Sequence, residues 1–336
     1  MLLKDLLEVE IPDEITHVID VQNTREEIVE SEISVYIVTN SLAKNYLTLA
    51  QRFNSLEKET GVWLSGFYGS GKSYFAKVFG QLLENRTIKG TPFIERFFAR
   101  LHGLQDAALI ENEIRGLAKK HKTHIVYIDI GKKGVIIQNG LSYTLFKSLL
   151  HSLGFMTDKY GFVEFELYLN NDLDNFKKGV ESLKGMTWEE VKNNHMMVAP
   201  VMKQVFEKSF PGKYTNDSIQ RLEDTIKSFS PDLLAELIKN YLKISKTDRL
   251  IFIVDEVSES VALRKIDLLD LQGVTESLSS VGAGKVWTFA CAQEKLDDVL
   301  RNSGSSMNEL SKVQDRFKTR LHLSSNDVNE VIEERL

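Results

Sequence analysis

Gly61-Val62-Trp63-Leu64-Ser65-Gly66-Phe67-Tyr68-Gly69-Ser70-Gly71-Lys72-Ser73 is the stretch on which the fold turns. Residues 61–65 read as a short apolar strand and residues 73–83 as a helix, so the glycine-rich run between them is the loop of a strand, loop, helix unit. Residues 66–73 fit the pattern G-x-x-x-x-G-K-[ST]. Its glycines let backbone amides turn inward around phosphate groups, and the helix that follows adds partial positive charge. The candidate phosphate-binding residues are Gly66, Phe67, Tyr68, Gly69, Ser70, Gly71, Lys72 and Ser73. Lys72 is expected to reach the β and γ phosphates, and the Ser73 hydroxyl to ligate Mg2+.

Leu250-Ile251-Phe252-Ile253-Val254-Asp255-Glu256 has the matching form of a buried strand with an acidic end. An Asp there holds Mg2+ through its water shell, which assigns Asp255 to the metal, and an adjacent Glu polarises the attacking water, which assigns Glu256 as the base. Possession of its own base points to water as the acceptor and hence to an ATPase. No Asn-Lys-x-Asp guanine signature is present, which favours ATP over GTP. The strand at residues 285–292 ends at Gln293, a candidate for sensing the γ phosphate or orienting the water. Arg316 and Arg320 precede and enter a fifth strand at residues 319–323, where oligomeric ATPases of the AAA+ type place an arginine finger for a neighbour's γ phosphate. Arg316 is the first choice of the two.

Working outward, residues 123–130 read as a strand, giving about five strands separated by helices and a parallel α/β sheet. Residues 1–60 read as a leader, a weak extended stretch at residues 17–21, and a helix capped by Thr39 or Asn40 that packs on the core through Leu42, Tyr46, Leu49 and Phe53. Residues 61–336 then form one P-loop domain interrupted by a helical insert at about residues 140–246. Within that insert Leu145, Phe146, Leu149 and Leu150 make an apolar stripe, Thr187 with Glu190 a capping box, and Ser230-Pro231 a helix start. His195-Met196-Met197 reads as filling of a helix face, and Lys119, Lys120, His121, Lys122, Lys132 and Lys133 as a solvated rim. Asp327 and Glu330 look like the start of a helix, yet the chain stops at Leu336. The expectation is a fragment of a longer protein, without the lid helices that follow the fifth strand in AAA+ proteins.

Composition narrows the alternatives. The 336 residues are 42% hydrophobic with a formal charge of −6, which argues against a broad surface for nucleic-acid phosphates. Cys291 is the only cysteine, which excludes an internal disulfide and a cysteine-based zinc cluster. The seven histidines form no His-x-x-x-His pair, so the metal expected is the one carried by a nucleotide. The charged first twenty residues contain no apolar signal core and no later stretch has the length of a membrane span, so a cytoplasmic location is expected.

With these residues in view, the chain resembles the BrxC/PglY family of large P-loop proteins from BREX bacteriophage-exclusion systems. The likeness is carried by residues 1–6 and 36–39, by the whole of residues 61–73, by residues 252–257, by Leu271-Gln272-Gly273-Val274-Thr275-Glu276-Ser277-Leu278, and by residues 312–321 with 323–325. Ser258-Glu259-Ser260-Val261 departs from it, standing where the family carries a more apolar, glycine-containing stretch. The resemblance implies an AAA+ type ATPase acting in anti-phage defence, with BREX partners that include a DNA methyltransferase and a PglZ-type protein. Two functional expectations stand side by side. One is a homo-oligomeric ATPase that remodels or licenses a defence complex; the other is a slow-hydrolysing nucleotide switch and protein-binding module. A DNA translocase fits the charge less well.

Overall fold

The strand that leads into the glycine-rich loop is buried over its whole length and has a neighbour on each side in its sheet. In this computed structural model, residues 19–55, 60–132, 137, 139–302, 307–324 and 330–332 are described. They fall into two compact units, one from the two flanks of the sequence and one from residues 137–245 between them.

The first unit begins with α1 (Glu26–Ser34) and α2 (Asn40–Asn54), followed by β1 (Gly61–Gly66) and α3 (Lys72–Glu84). A small hairpin of β2 (Thr87–Ile88) and β3 (Thr91–Pro92), then α4 (Phe93–Phe98) and α5 (Ala107–Lys120), leads to β4 (Thr123–Asp129). α1 was not expected from the sequence, although Val29 and Ile33, four residues apart, are its buried positions. The expected extended stretch is a correction: its described end is a turn, in which the Gln22 amide donates to the Asp20 carboxylate at 3.0 Å. Residues 17 and 18 lie outside the described residues. α2 starts where expected, with Thr39 accepting from the Leu42 amide at 3.1 Å.

After the second unit the chain re-enters the first at β5 (Arg249–Asp255). Each strand of the main sheet runs parallel to its neighbours, in the order β4-β5-β6-β1-β7, where β6 is Val286–Ala292 and β7 is Thr319–Leu323. β5, β6 and β1 are buried along their whole length, as strands covered on both faces must be. Val62, Leu64, Ile251, Ile253, Phe289 and Cys291 share one core with α1 to α5, in which Phe53 stacks on Trp287 with ring centroids 3.8 Å apart. α13 (Val257–Ala262) and α14 (Leu268–Gly282) pack against β6, while α15 (Leu296–Asn302) and α16 (Met307–Arg316) complete the unit before β7. Residues 330–332 are helical, but Asp327, the expected cap of that helix, lies outside the described residues.

The second unit is helical throughout its described residues: α6 (Gly140–Ser152), α7 (Lys159–Leu169), α8 (Leu173–Lys184), α9 (Trp188–Lys192), α10 (His195–Ser209), α11 (Asn216–Lys227) and α12 (Pro231–Ser245). Its core is aromatic, with Phe146 against Phe162, Phe165 and Phe229. One carboxylate is buried within it. Glu164 accepts from the Trp188 indole and the Met156 amide, both at 2.7 Å, with Lys192 3.4 Å away. The expected capping box of Thr187 and Glu190 opens α9. Met196 is a second correction, standing almost wholly exposed in the first turn of α10, where few side chains surround it.

Candidate active site

The loop after β1 gets its shape from two glycines. Gly69 and Gly71 sit at φ 82° and 85°, left-handed conformations that side chains oppose. Gly66 is needed for a different reason: a Cβ there would meet the Ser70 hydroxyl at 2.5 Å and the Leu323 carbonyl at 3.0 Å. The Ser70 amide closes a turn onto the Phe67 carbonyl at 3.1 Å, and the Phe75 amide makes the first helical bond to Gly71 at 2.8 Å. The N-cap residue of α3 is Gly71, which has no side chain to cap the helix. Lys72 is folded back and donates to the Phe67 carbonyl at 3.1 Å. The Ser70 hydroxyl is buried with no partner. Tyr68, at the tip, is 75% exposed.

The acidic end of β5 lies beside this loop. The Ser73 hydroxyl is hydrogen-bonded to the Asp255 carboxyl, whose pKa is raised by burial and pulled back by that bond. Asp255 also accepts the Glu256 amide at 3.0 Å. Glu256 begins α13 in a left-handed conformation, φ 61° and ψ 38°. Burial first, then the neighbouring Glu259 carboxylate, pushes Glu256 up to about 7. Asp129, at the end of β4, is the register partner of Asp255, and its Oδ1 accepts the amides of Gly131 and Lys132, both at 3.0 Å.

β6 runs between β1 and β5, so its end lies between the phosphate-loop candidate and the acidic pair. The Gln293 amide donates to the Ser258 hydroxyl at 2.8 Å, and that hydroxyl donates to Glu259 at 3.0 Å. Gln293, Asp255, Glu256, Lys72 and Ser73 are thus gathered at the carboxyl edge of one sheet, the edge where open α/β sheets bind ligands.

The two arginines are elsewhere. The Arg316 carbonyl packs against Gly61, the first residue of β1, whereas the loop follows its last residue, roughly 20 Å of strand away. Arg316 pairs with Glu276 at 2.6 Å, and Arg320 with Asp297 at 3.0 Å while donating to the Phe317 carbonyl at 2.9 Å. Neither side chain belongs to the candidate site of its own chain.

The sequence reading missed one wall of the site. Val35, Tyr36, Ile37, Leu42 and Tyr74, with Val331 and Ile332, line a mainly apolar cleft of about 150 Å³ that opens onto Gly69, Ser70 and Gly71. An apolar cavity of about that size accepts an aromatic ring. The apolar run at residues 35–38 ahead of the Thr39 cap was the available signal; it reads equally well as ordinary packing. Among the described residues no helix is long and apolar enough to cross a membrane. No known protein-family model matches the chain, and no solved structure matches it.

Proposed function

We propose that the chain is a P-loop ATPase module of the AAA+ type that binds ATP with Mg2+ and hydrolyses it. The observation that carries the reading is the hydrogen bond between Ser73 and Asp255, which joins the glycine-rich loop to the acidic strand end across an intervening strand. The strand order supports the same class, because it leaves the end of β6 and Gln293 between loop and base.

The residues fit the ligand. Left-handed glycines, an uncapped helix start and the orphaned Ser70 hydroxyl make a cradle short of an acceptor-rich guest, which is what a triphosphate supplies. Lys72 would exchange the Phe67 carbonyl for phosphate oxygens. Ser73 and Asp255 would hold Mg2+, which when bound neutralises charge on the phosphates. Glu256 orients and deprotonates the attacking water, and Gln293 lies where it can help hold that water. The apolar cleft takes the base of the nucleotide. Because Arg316 stands at the other end of β1 and Arg320 is tied to Asp297 and the Phe317 carbonyl, arginine assistance would come from a second copy of the chain, and a homo-oligomer is proposed accordingly. Cytoplasmic location, no direct DNA binding, and a place among BREX defence proteins, including a methyltransferase and a PglZ-type protein, are proposed on the composition and resemblance given above.

The test is binding and turnover. Purified protein should bind Mg2+-ATP and release phosphate, Ser73→Ala should lose the metal-dependent part of binding, and Glu256→Gln should bind without turnover. Absence of ATP binding in the intact protein would sink the reading. The slow nucleotide switch also has an observation in its favour: Glu256, pushed up to about 7 beside Glu259, is poorly ionised below neutral pH. Tight ATP binding with little turnover in assembled protein would select it.

A further inference from the structure

Lys77 is a buried cation with no part in the chemistry above. It lies one turn beyond Ser73 on α3, is 1% exposed, and donates to the Glu32 carboxylate of α1 at 2.7 Å and to the Asp20 carbonyl at 2.9 Å. Burial pulls its pKa down and raises that of Glu32, and their mutual attraction opposes both shifts. One turn of helix nearer the loop, the Tyr74 hydroxyl donates to the backbone carbonyl of that same Glu32. Tyr36 leans on Tyr74 with ring centroids 4.6 Å apart and shares a 2.6 Å hydrogen bond with Tyr46 of α2. Other charged ties of α1, such as Glu30 to Lys89 and Arg96, involve more exposed groups, and exposed pairs contribute little.

These contacts converge on the cleft. Residues 35–37 follow α1 directly, and they line the cleft together with Tyr74, Gly69 and Gly71. A lysine in this place carries a cost that an apolar residue would not, and its partner sits on the segment whose position shapes the cleft. We infer that Lys77 and Glu32 are positioning residues, a latch that sets residues 35–37 against the P-loop helix and so governs affinity for the base of the nucleotide without governing affinity for its phosphates. The inference rests on the nucleotide reading of the loop.

The experiment compares two probes, Mg2+-ATP and Mg2+-tripolyphosphate, on the 336-residue protein. Removing one partner strands a buried charge and endangers the fold, so the variant is the double replacement Lys77→Met with Glu32→Met, whose apolar pair fills similar space. Tyr74→Phe, which deletes the other tie, is the second variant. ATP affinity should fall about tenfold in the double variant, and in the same direction in Tyr74→Phe, while tripolyphosphate affinity stays within about twofold. Equal losses for both probes, or no loss for either, overturn the latch. Wild-type protein that binds neither probe refutes the nucleotide reading itself, a failure visible before any variant is made.

Discussion

Gly131 passes so close to Glu256 that a Cβ added to it would lie 2.5 Å from the Glu256 Cβ and 2.7 Å from its Cγ. The loop after β4 therefore forms a backstop for the proposed base. In Gly131→Ala one of the two must move, and displacement of a catalytic group by about 1 Å costs up to about 100-fold in rate. We expect kcat to fall by about 10- to 100-fold with ATP affinity unchanged, as read by steady-state kinetics beside equilibrium binding.

As the proposed base, Glu256 would work in its ionised form, and its carboxyl is pushed up to about 7. The ionised fraction grows as pH rises, so kcat/KM should climb through about pH 7. Glu259→Gln removes the second-largest cause of the shift and should move that midpoint to lower pH. Glu256→Gln should lower kcat by about 100- to 10,000-fold above pH 7, with the gap to wild type narrowing as pH falls below it.

The same carboxyl makes a separate prediction about stability. Its folded pKa is raised above the usual glutamate range, so whatever it contributes is fully present below the unfolded pKa and lost as pH rises through about 7. Glu256→Gln should match wild type near pH 4 and melt at higher temperature than wild type near pH 8, a difference that thermal scans at the two values would show.

His124 on β4 titrates in the opposite sense. Burial, with help from Lys122, lowers it to about 4. Its contribution is present above its ordinary pKa near 6.5 and is lost as pH falls toward 4. His124→Gln, which cannot take up the proton, should flatten the loss of urea resistance between about pH 6.5 and about pH 4.

If arginine assistance comes from a neighbour, Arg316→Ala and Glu256→Gln should each be inactive alone, and an equimolar mixture should regain turnover through sites that combine an intact arginine with an intact base. A mixture as inactive as its components, in samples shown to co-assemble, would count against Arg316.

The phosphate-loop candidate and the acidic doublet were legible because each is a local pattern, an apolar strand followed by residues whose backbone or charge demands the strand end. Strand adjacency was not. Nothing near Val286 or Thr319 says that their strands flank β1, since that pairing joins residues far apart in the chain. Lys77 lies in the expected helix and Glu32 in a stretch where no helix was expected, and their burial arises only when α1 and α3 meet. Gly131 sits among lysines and isoleucines that suggest nothing about Glu256. Met196 misled for the converse reason: an apolar residue next to Met197 on a helix need not face the core.

The pairing of Gly61 with Thr288 and of Val62 with Thr319 has a consequence for synthesis. When the phosphate-loop segment leaves the ribosome, neither of the strands that will flank it exists, whereas the helices of residues 140–245 find their partners within their own stretch. The helical unit is thus free to fold while the chain still grows. β1, buried along its length, must wait unpaired until residues 286–323 have been translated, and nascent-chain chaperones have their clearest target there.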